Sequence, residues 1–257
     1  MFKVATWNVN SINVRLPHLL QWLESAKPDV LALQETKSID EAFPLEAIAN
    51  AGYNVVFAGQ KTYNGVAIIA KAPITDVVID IPGLVDPQRR IMLATVNDVR
   101  IVNLYVPNGQ NVGADKYYYK LDWLQKVTQF IQTEVHRYPL FLSLGDFNIA
   151  PEDQDIHDSI SWAGHIMCSE PERTAFRGII DTGLSDSFRL FPQEPKQYSW
   201  WDYRQLSFRR NKGWRIDHIL VNEGLRARCV SCKIDKEPRR WERPSDHTPV
   251  IAEFDLG

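Results

Sequence analysis

The sequence predicts an α/β sandwich built from mixed sheets. Three observations carry this. Strand-like runs alternate with amphipathic helices, twice in the order strand, helix, strand. Hairpin-like pairs of strands lie between those units, and hairpins require antiparallel partners. Polar residues collect at the strand ends, where sites gather in layered α/β folds.

In chain order, Val4-Ala5-Thr6-Trp7-Asn8-Val9-Asn10 alternates and ends in polar amides. Leu16, Leu19, Leu20 and Leu23 then recur at i, i+3, i+4 and i+7, the spacing of an amphipathic helix. Pro28-Asp29 ends it, and Val30-Leu31-Ala32-Leu33 reads as a buried strand that stops at Gln34-Glu35. A second helix is expected over residues 43–51. Strands follow at 53–58 and 65–70, around the turn-like Lys61-Thr62-Tyr63-Asn64. Residues 91–96 and 100–106 read as a hairpin with Asn97-Asp98 at its turn.

The long helix after Ala114 is expected to bury Tyr117, Leu121, Leu124, Val127, Ile131 and Val135. Pro139-Leu140-Phe141-Leu142-Ser143 is an apolar run of strand length, and Leu144-Gly145-Asp146-Phe147-Asn148 closes it before Pro151. Asp146 and Asn148 are two apart, so in extended chain their side chains lean to one side. A carboxylate and an amide placed so can deprotonate and hold one water. Phe176, Ile179 and Ile180 suggest a further helix, with Gly183 just past its end. The last third holds strand-like runs at 215–221, 229–234 and 249–254, with a charged loop at 237–247. No linker or short repeat interrupts the pattern, so residues 1–257 read as one domain, expected to act as a monomer.

A chain of 257 residues can bury a large core. Charged residues at 24% and apolar residues at 44% are ordinary for a globular protein. The net charge of −3 does not announce a nucleic-acid binder, although a local basic patch suffices for one. No apolar run has membrane-spanning length, and Met1-Phe2-Lys3-Val4-Ala5-Thr6-Trp7 enters a strand pattern without a signal-peptide core. The expectation is a cytoplasmic protein with no membrane partner. Cys229 and Cys232 form a lone C-x-x-C without the further ligands of a zinc set, and Cys168 is distant. On a strand the pair should face opposite sides, as packing thiols.

The polar strand ends are Asn8 and Asn10, Glu35, Tyr105, and Asp146 with Asn148. Asp217 interrupts the apolar run Ile216-Asp217-His218-Ile219-Leu220, and Ser245-Asp246-His247 precedes the last strand. Charges rarely enter core strands without partners. If these ends converge, the pocket is rich in oxygen donors and suits Mg²⁺ or Mn²⁺. No phosphate-loop motif G-x-x-x-x-G-K-[ST] is present. A hard cation beside acids and an imidazole suggests water attacking a phosphate ester.

The motifs Trp7-Asn8-Val9-Asn10, Leu33-Gln34-Glu35-Thr36-Lys37, Tyr63-Asn64-Gly65-Val66-Ala67, Gln88-Arg89-Arg90, Asn103-Leu104-Tyr105-Val106-Pro107-Asn108-Gly109, Gly145-Asp146-Phe147-Asn148-Ile149, Ser199-Trp200-Trp201-Asp202-Tyr203-Arg204, Gly213-Trp214-Arg215-Ile216-Asp217 and Ser245-Asp246-His247 stand in one order from end to end. In this the chain resembles the bacterial exonuclease III family, within the endonuclease/exonuclease/phosphatase superfamily. The resemblance implies a four-layer α/β sandwich, two mixed sheets packed face to face and flanked by helices. It implies cleavage of phosphoester bonds at 3′ ends and abasic sites of duplex DNA, with Mg²⁺ as cofactor and Mn²⁺ as its substitute. Expected substrates are damaged, recessed or nicked 3′ ends.

The resemblance also implies roles. Glu35 is the principal metal ligand, with Asn8, Asp146, Asn148, Asp246 and His247 in the metal set. Asp146 orients and deprotonates water, and Asn148 positions it. His247 contacts the scissile phosphate, Asp217 holds its other ring nitrogen, and Tyr105 donates to a phosphate oxygen. Asn10, Lys37, Arg89, Arg90, Asn108, Trp200, Arg204 and Arg210 are expected to contact DNA, with Trp200 against the sugar of the cleaved nucleotide. Trp201 and Trp214 are open between core and interface, and the basic loop Arg209-Arg210-Asn211-Lys212 favours DNA.

The chain departs from the pattern at Asn10, where some relatives carry Asp. It departs again in the segment 159–171, with Trp162, His165 and Met167, which aligns poorly. Such a loop at the pocket border decides whether a base-free sugar fits, so abasic incision is less secure than action on 3′ termini. His218 should face away from Asp217 as a packed histidine. Two other readings stay open here: a phosphodiesterase of a non-DNA phosphoester, and a nucleic-acid binder that has lost catalysis.

Overall fold

The structure is a computed structural model and describes residues 1–84 and 87–257. Its strands are β1 (Phe2–Asn8), β2 (Val30–Gln34), β3 (Asn54–Ala58), β4 (Val66–Ala70), β5 (Thr75–Ile79), β6 (Ile91–Val96), β7 (Val99–Tyr105), β8 (Phe141–Asp146), β9 (Ser185–Asp186), β10 (Asp217–Val221), β11 (Cys229–Ile234) and β12 (Val250–Phe254). The helices are α1 (Ile12–Ala26), α2 (Leu45–Asn50), α3 (Asp115–Glu134), α4 (Ser159–Trp162), α5 (Glu170–Ile180) and α6 (Glu223–Arg226).

Two six-stranded sheets result, in the orders β11-β12-β1-β2-β4-β3 and β5-β6-β7-β8-β10-β9. Each is mixed. β1 runs parallel to β2 across α1, and β7 runs parallel to β8 across α3. A parallel pair needs a crossover of helical length, which is why the strand–helix–strand pattern appears twice in the sequence.

Alternation along each strand feeds two cores at once. On β1 and β2, Val4, Val30 and Ala32 point into the cluster between the sheets, with Met92, Ile101, Leu144 and Ile219 opposite. Their neighbours Ala5, Trp7, Leu31 and Leu33 pack under α1 with Leu19, Trp22 and Leu23. In the second sheet Leu93, Val102, Leu104 and Phe141 meet Trp123, Leu124, Val127 and Phe176 on α3 and α5. Both faces of both sheets are therefore covered, giving four layers, as the resemblance implies. Strands buried on both faces read as continuous apolar runs.

A buried polar link fixes how the sheets sit on each other. Asn103 on β7 donates to the carbonyls of Leu33 and Ala67, both at 3.0 Å, in the opposite sheet. Its oxygen accepts from Gln34 Nε2 at 2.8 Å, and Gln34 also donates to Thr6 Oγ1 at 2.9 Å. Hydrogen bonds between groups this deeply buried are costly to leave half made, so they select one alignment. That alignment puts the ends of β2 and β7, and hence Glu35 and Tyr105, on the same rim.

Some elements differ from the sequence reading. The second helix is shorter, Leu45–Asn50, because Pro44 precedes it and Gly52 stands in the left-handed region after it. β5 was not expected; all of its residues are exposed at a sheet edge, so it has no buried face to announce it. The thiols of Cys229 and Cys232 do not face opposite sides. A bulge between Cys229 and Ser231 resets the alternation, and both thiols pack toward the core between the sheets.

Candidate active site

Six chain segments end on one rim. Asn8 closes β1 and Glu35 follows β2. Tyr105 closes β7 opposite Asp146 at the end of β8, and Asp217 opens β10 opposite Asp146 on its other side. His247 comes from the loop before β12 and is held by a bridge to Trp200. The turn after β8 depends on Gly145. Its φ is +142°, and a Cβ there would collide with the Leu104 carbonyl. Asn10, Glu35, Lys37 and Asn148 also take left-handed φ values of 44°, 50°, 49° and 49°. Non-glycine residues held this way cost about 1–3 kcal/mol each and cluster where geometry serves function.

The acids and the imidazole meet at the centre. One ligand atom each from Glu35, Asp146 and His247 lies within 4.8 Å of the others. Donors around a small divalent cation sit roughly 3–4 Å apart at bond lengths near 2.1 Å, so the spacing fits one. Asn8 Nδ2 lies 2.9 Å from both Glu35 Oε1 and Asp146 Oδ2. Its oxygen takes the Asn10 N–H at 3.0 Å, an orientation fixed by a backbone donor. Asn8 thus braces the two carboxylates through its amide nitrogen.

His247 Nδ1 is 2.9 Å from Asp217 Oδ2, and Nε2 is 3.7 Å from Asp146 Oδ2. Burial alone would lower the pKa of this ring, but Asp217 and Asp146 outweigh it and push it to about 10. Asp217 is steadied by the Ser199 hydroxyl, which donates to Oδ2 at 2.6 Å. A protonated ring has no lone pair, so with no ion bound His247 faces the centre as a cation. Burial raises the Asp146 pKa to about 7, against His247 and with Asp217 and Glu35 adding to the rise. Burial likewise holds the Tyr105 hydroxyl well above its ordinary value, with Glu35 second.

Asn148 folds back on the site. Its N–H reaches Asp146 Oδ1 at 2.9 Å, and its Nδ2 reaches the Val106 carbonyl at 2.9 Å and Asp146 Oδ2 at 3.4 Å. The Asn148 oxygen accepts from Asn108 Nδ2 at 3.1 Å. Asp246 stands outside the central trio: Oδ2 accepts from Trp200 Nε1 at 2.9 Å and Oδ1 from Asn10 Nδ2 at 3.0 Å. Burial would raise its pKa, but His247 and these bonds hold it low. Lys37 Nζ sits 2.8 Å from Glu35 Oε2 and 2.6 Å from Asn10 Oδ1.

Two clefts flank this centre. One, of about 490 Å³, is lined by His157, Trp162, Met167, Trp200, Arg204 and Trp214 among others. Trp162 and Trp214 meet edge to face at 5.2 Å, so the segment that aligned poorly does border the site. The other, of about 550 Å³, has Tyr63, Arg90, Tyr105, Asn108, Lys116 and Tyr119 on its walls. Arg90 covers the Tyr105 ring at 4.5 Å.

The remaining candidates scatter. Arg89 turns away to pair with Asp80 at 2.9 Å. Arg204 is exposed at the first cleft and paired with Asp202, and Arg210 is exposed nearby. Trp201 is fully buried and meets Phe208 edge to face, so it belongs to the core. His218 is buried, with Nδ1 at 3.0 Å from Arg215 and Nε2 at 2.9 Å from the Ile149 carbonyl, the packed role expected of it. Sequence reading assigned no role to Ser199, quoted only within its motif, or to His157, which no motif supports.

The model of the Endonuclease/Exonuclease/phosphatase family matches residues 5–247. Exodeoxyribonuclease III of Haemophilus influenzae is 37% identical over 266 residues, covering 98% of this chain and 99% of that one. A 3′ phosphatase, NExo, from Neisseria, solved with a product DNA hairpin, superposes with a TM-score of 0.98 at 45% identity, covering 99% of this chain and 100% of its own. An AP endonuclease from Archaeoglobus fulgidus superposes with a TM-score of 0.96 at 38% identity, and each chain is fully covered. With its fold, its order of motifs and its rim of acids, the chain belongs to the endonuclease/exonuclease/phosphatase family, in the exonuclease III branch.

Proposed function

We propose that this protein is a divalent-metal-dependent DNA repair nuclease that trims the 3′ ends of duplex DNA, with Mg²⁺ as the ion and Mn²⁺ as its substitute. The observation that carries this is the convergence of Glu35, Asp146 and His247, with Asp217 behind the ring. The relatives named for 3′ phosphatase, exodeoxyribonuclease and AP endonuclease activity support it.

Glu35 and Asp146 hold the ion, which when bound neutralises phosphate charge. Asp146, raised toward neutrality by burial, takes a proton from water that Asn148 holds in place. His247 presents Nε2–H to the scissile phosphate, and Tyr105 donates to the same group as charge develops. Water attacks phosphorus, the bond to the departing oxygen breaks, and no covalent enzyme intermediate forms. Trp200 packs on the sugar of the terminal nucleotide, and Asn10, Lys37, Arg90, Asn108, Arg204 and Arg210 contact flanking phosphates. Arg89, turned to Asp80, contributes less than its motif suggests.

Met167 and Trp162 stand on the wall of the cleft beside Trp200 and Trp214. We place abasic incision below 3′-end removal on that account, because these side chains narrow the room for an extruded sugar. One gel with three substrates tests the whole reading: a 3′-phosphate nick, a recessed duplex and an abasic duplex, each with Mg²⁺. The first two should be processed faster than the third. Turnover of a soluble phosphoester with no cleavage of any duplex would overturn it in favour of a non-DNA phosphodiesterase. Duplex binding without cleavage under any divalent ion would overturn it in favour of a silent binder.

A further inference from the structure

Lys120 lies in the second turn of α3 and is fully buried, with 0% of its surface exposed. An ammonium has three N–H donors. Each finds an oxygen: Glu172 Oε1 at 2.5 Å, the Asn148 carbonyl at 2.8 Å and the Asn108 carbonyl at 3.2 Å. Two of the three belong to residues of the catalytic rim.

Glu172, on α5, is equally buried and divides its oxygens among other partners. Oε1 also accepts from the Met167 N–H at 3.0 Å. Oε2 accepts from the Ser169 N–H at 3.1 Å and its hydroxyl at 2.7 Å. One ion pair therefore touches both the backbone of Asn148 and the loop that carries Met167. A buried ion pair adds little stability over apolar filling of equal volume, so stability alone does not account for it. Asn148 has a left-handed φ of 49°, a conformation that persists only where the surroundings over-determine it. Asn108 secures its side chain at 3.1 Å, and Lys120 secures the carbonyls of both asparagines.

We infer that Lys120 is a positioning residue which, with Glu172, locks the water-holding Asn148 to the Met167 wall of the nucleotide cleft. Terminal nucleotide and attacking water are thereby set at one spacing. This rests on the hydrolytic reading above.

Lys120→Met alone strands the Glu172 charge and is a poor test. The double variant Lys120→Met/Glu172→Gln removes both charges, and Glu172→Gln alone is the milder companion. Steady-state kinetics on the 3′-phosphate nick should show kcat falling about tenfold or more, with KM within about threefold. Adding Asn148→Ala to the double variant should cost far less than adding it to the wild type, because the two changes break the same arrangement. A folded double variant with unchanged kcat, or an Asn148→Ala penalty equal in both backgrounds, would overturn the inference. If the double variant does not fold, Glu172→Gln decides by the same two criteria. A readout independent of turnover is the Asn148 side-chain amide signal in ¹H–¹⁵N spectra, identified by its loss in Asn148→Ala. It should move in the variants whether or not DNA is cleaved. An unmoved signal sinks the positioning role, whereas a moved signal in a protein that cleaves nothing sinks only the hydrolytic reading.

Discussion

His247 and Asp217 form a buried pair, with the ring Nδ1 2.9 Å from Asp217 Oδ2 and both residues shut from solvent. The contact fixes which nitrogen faces the centre and keeps the ring charged. Asp217→Asn keeps the shape and removes the charge. It should lower kcat for 3′-phosphate release by about 10²–10⁴-fold, the range for a mispositioned acid or base, with KM little changed. Steady-state kinetics check this, and an unaltered kcat would show that the pair is only structural.

The pH profile follows from two raised groups. In the proposed mechanism Asp146 works ionised, and burial pushes it up to about 7, so the rate should climb as pH rises toward that value. In the same mechanism His247 works protonated; it is held to about 10, mainly by Asp217 against burial, so the rate should fall only as pH nears 10. A bound cation favours the Asp146 anion, so more Mg²⁺ should move the acid limb to lower pH. Profiles of kcat/KM at two Mg²⁺ concentrations measure this, and a limb that stays put would detach Asp146 from the ion.

His218 governs acid stability in the opposite sense. Burial and then Arg215 lower its pKa from 6.5 to about 4. The unfolded chain binds this proton first, so stability is full above pH 6.5 and falls as pH drops toward 4. Up to about 3 kcal/mol rides on this one group. Urea unfolding of the wild type and of His218→Gln across that window should show a steeper fall for the wild type. Parallel curves would contradict the prediction.

Met167 has a left-handed φ of 68° and stands on the cleft wall. Met167→Gly relieves the backbone and opens the space. The rate of abasic incision relative to 3′-phosphate removal should rise about tenfold or more, the scale on which a pocket senses lost bulk. The paired rates on two duplexes report it, and a constant ratio would remove this wall from the specificity argument.

Much of this was legible because strands buried on both faces stay apolar until their polar ends, as Val30-Leu31-Ala32-Leu33 does before Gln34-Glu35. The strand ends named from the sequence do meet on one rim. What escaped was whatever depends on partners distant in sequence. Lys120 carried no signal, since nothing near it in sequence reveals Glu172. Leu121, expected in the core, lines a surface groove instead, while Trp123 takes the interior. The bulge at Cys229 left no mark in composition. Asn8 and Asp246 were visible as polar, but the pairing of the Asn8 amide with Glu35 and Asp146, and of Asp246 with Trp200, was not.

The central claim is that Glu35 and Asp146 hold a divalent cation that the hydrolysis of 3′ phosphoesters requires. The direct measurement is phosphate release from a 3′-phosphate nick as Mg²⁺ is titrated, in the wild type and in Glu35→Ala. The account predicts no release in chelator, saturation with Mg²⁺ in the wild type, and a curve displaced to higher Mg²⁺ in the variant. Release that persists in chelator, or two superimposable curves, would contradict it.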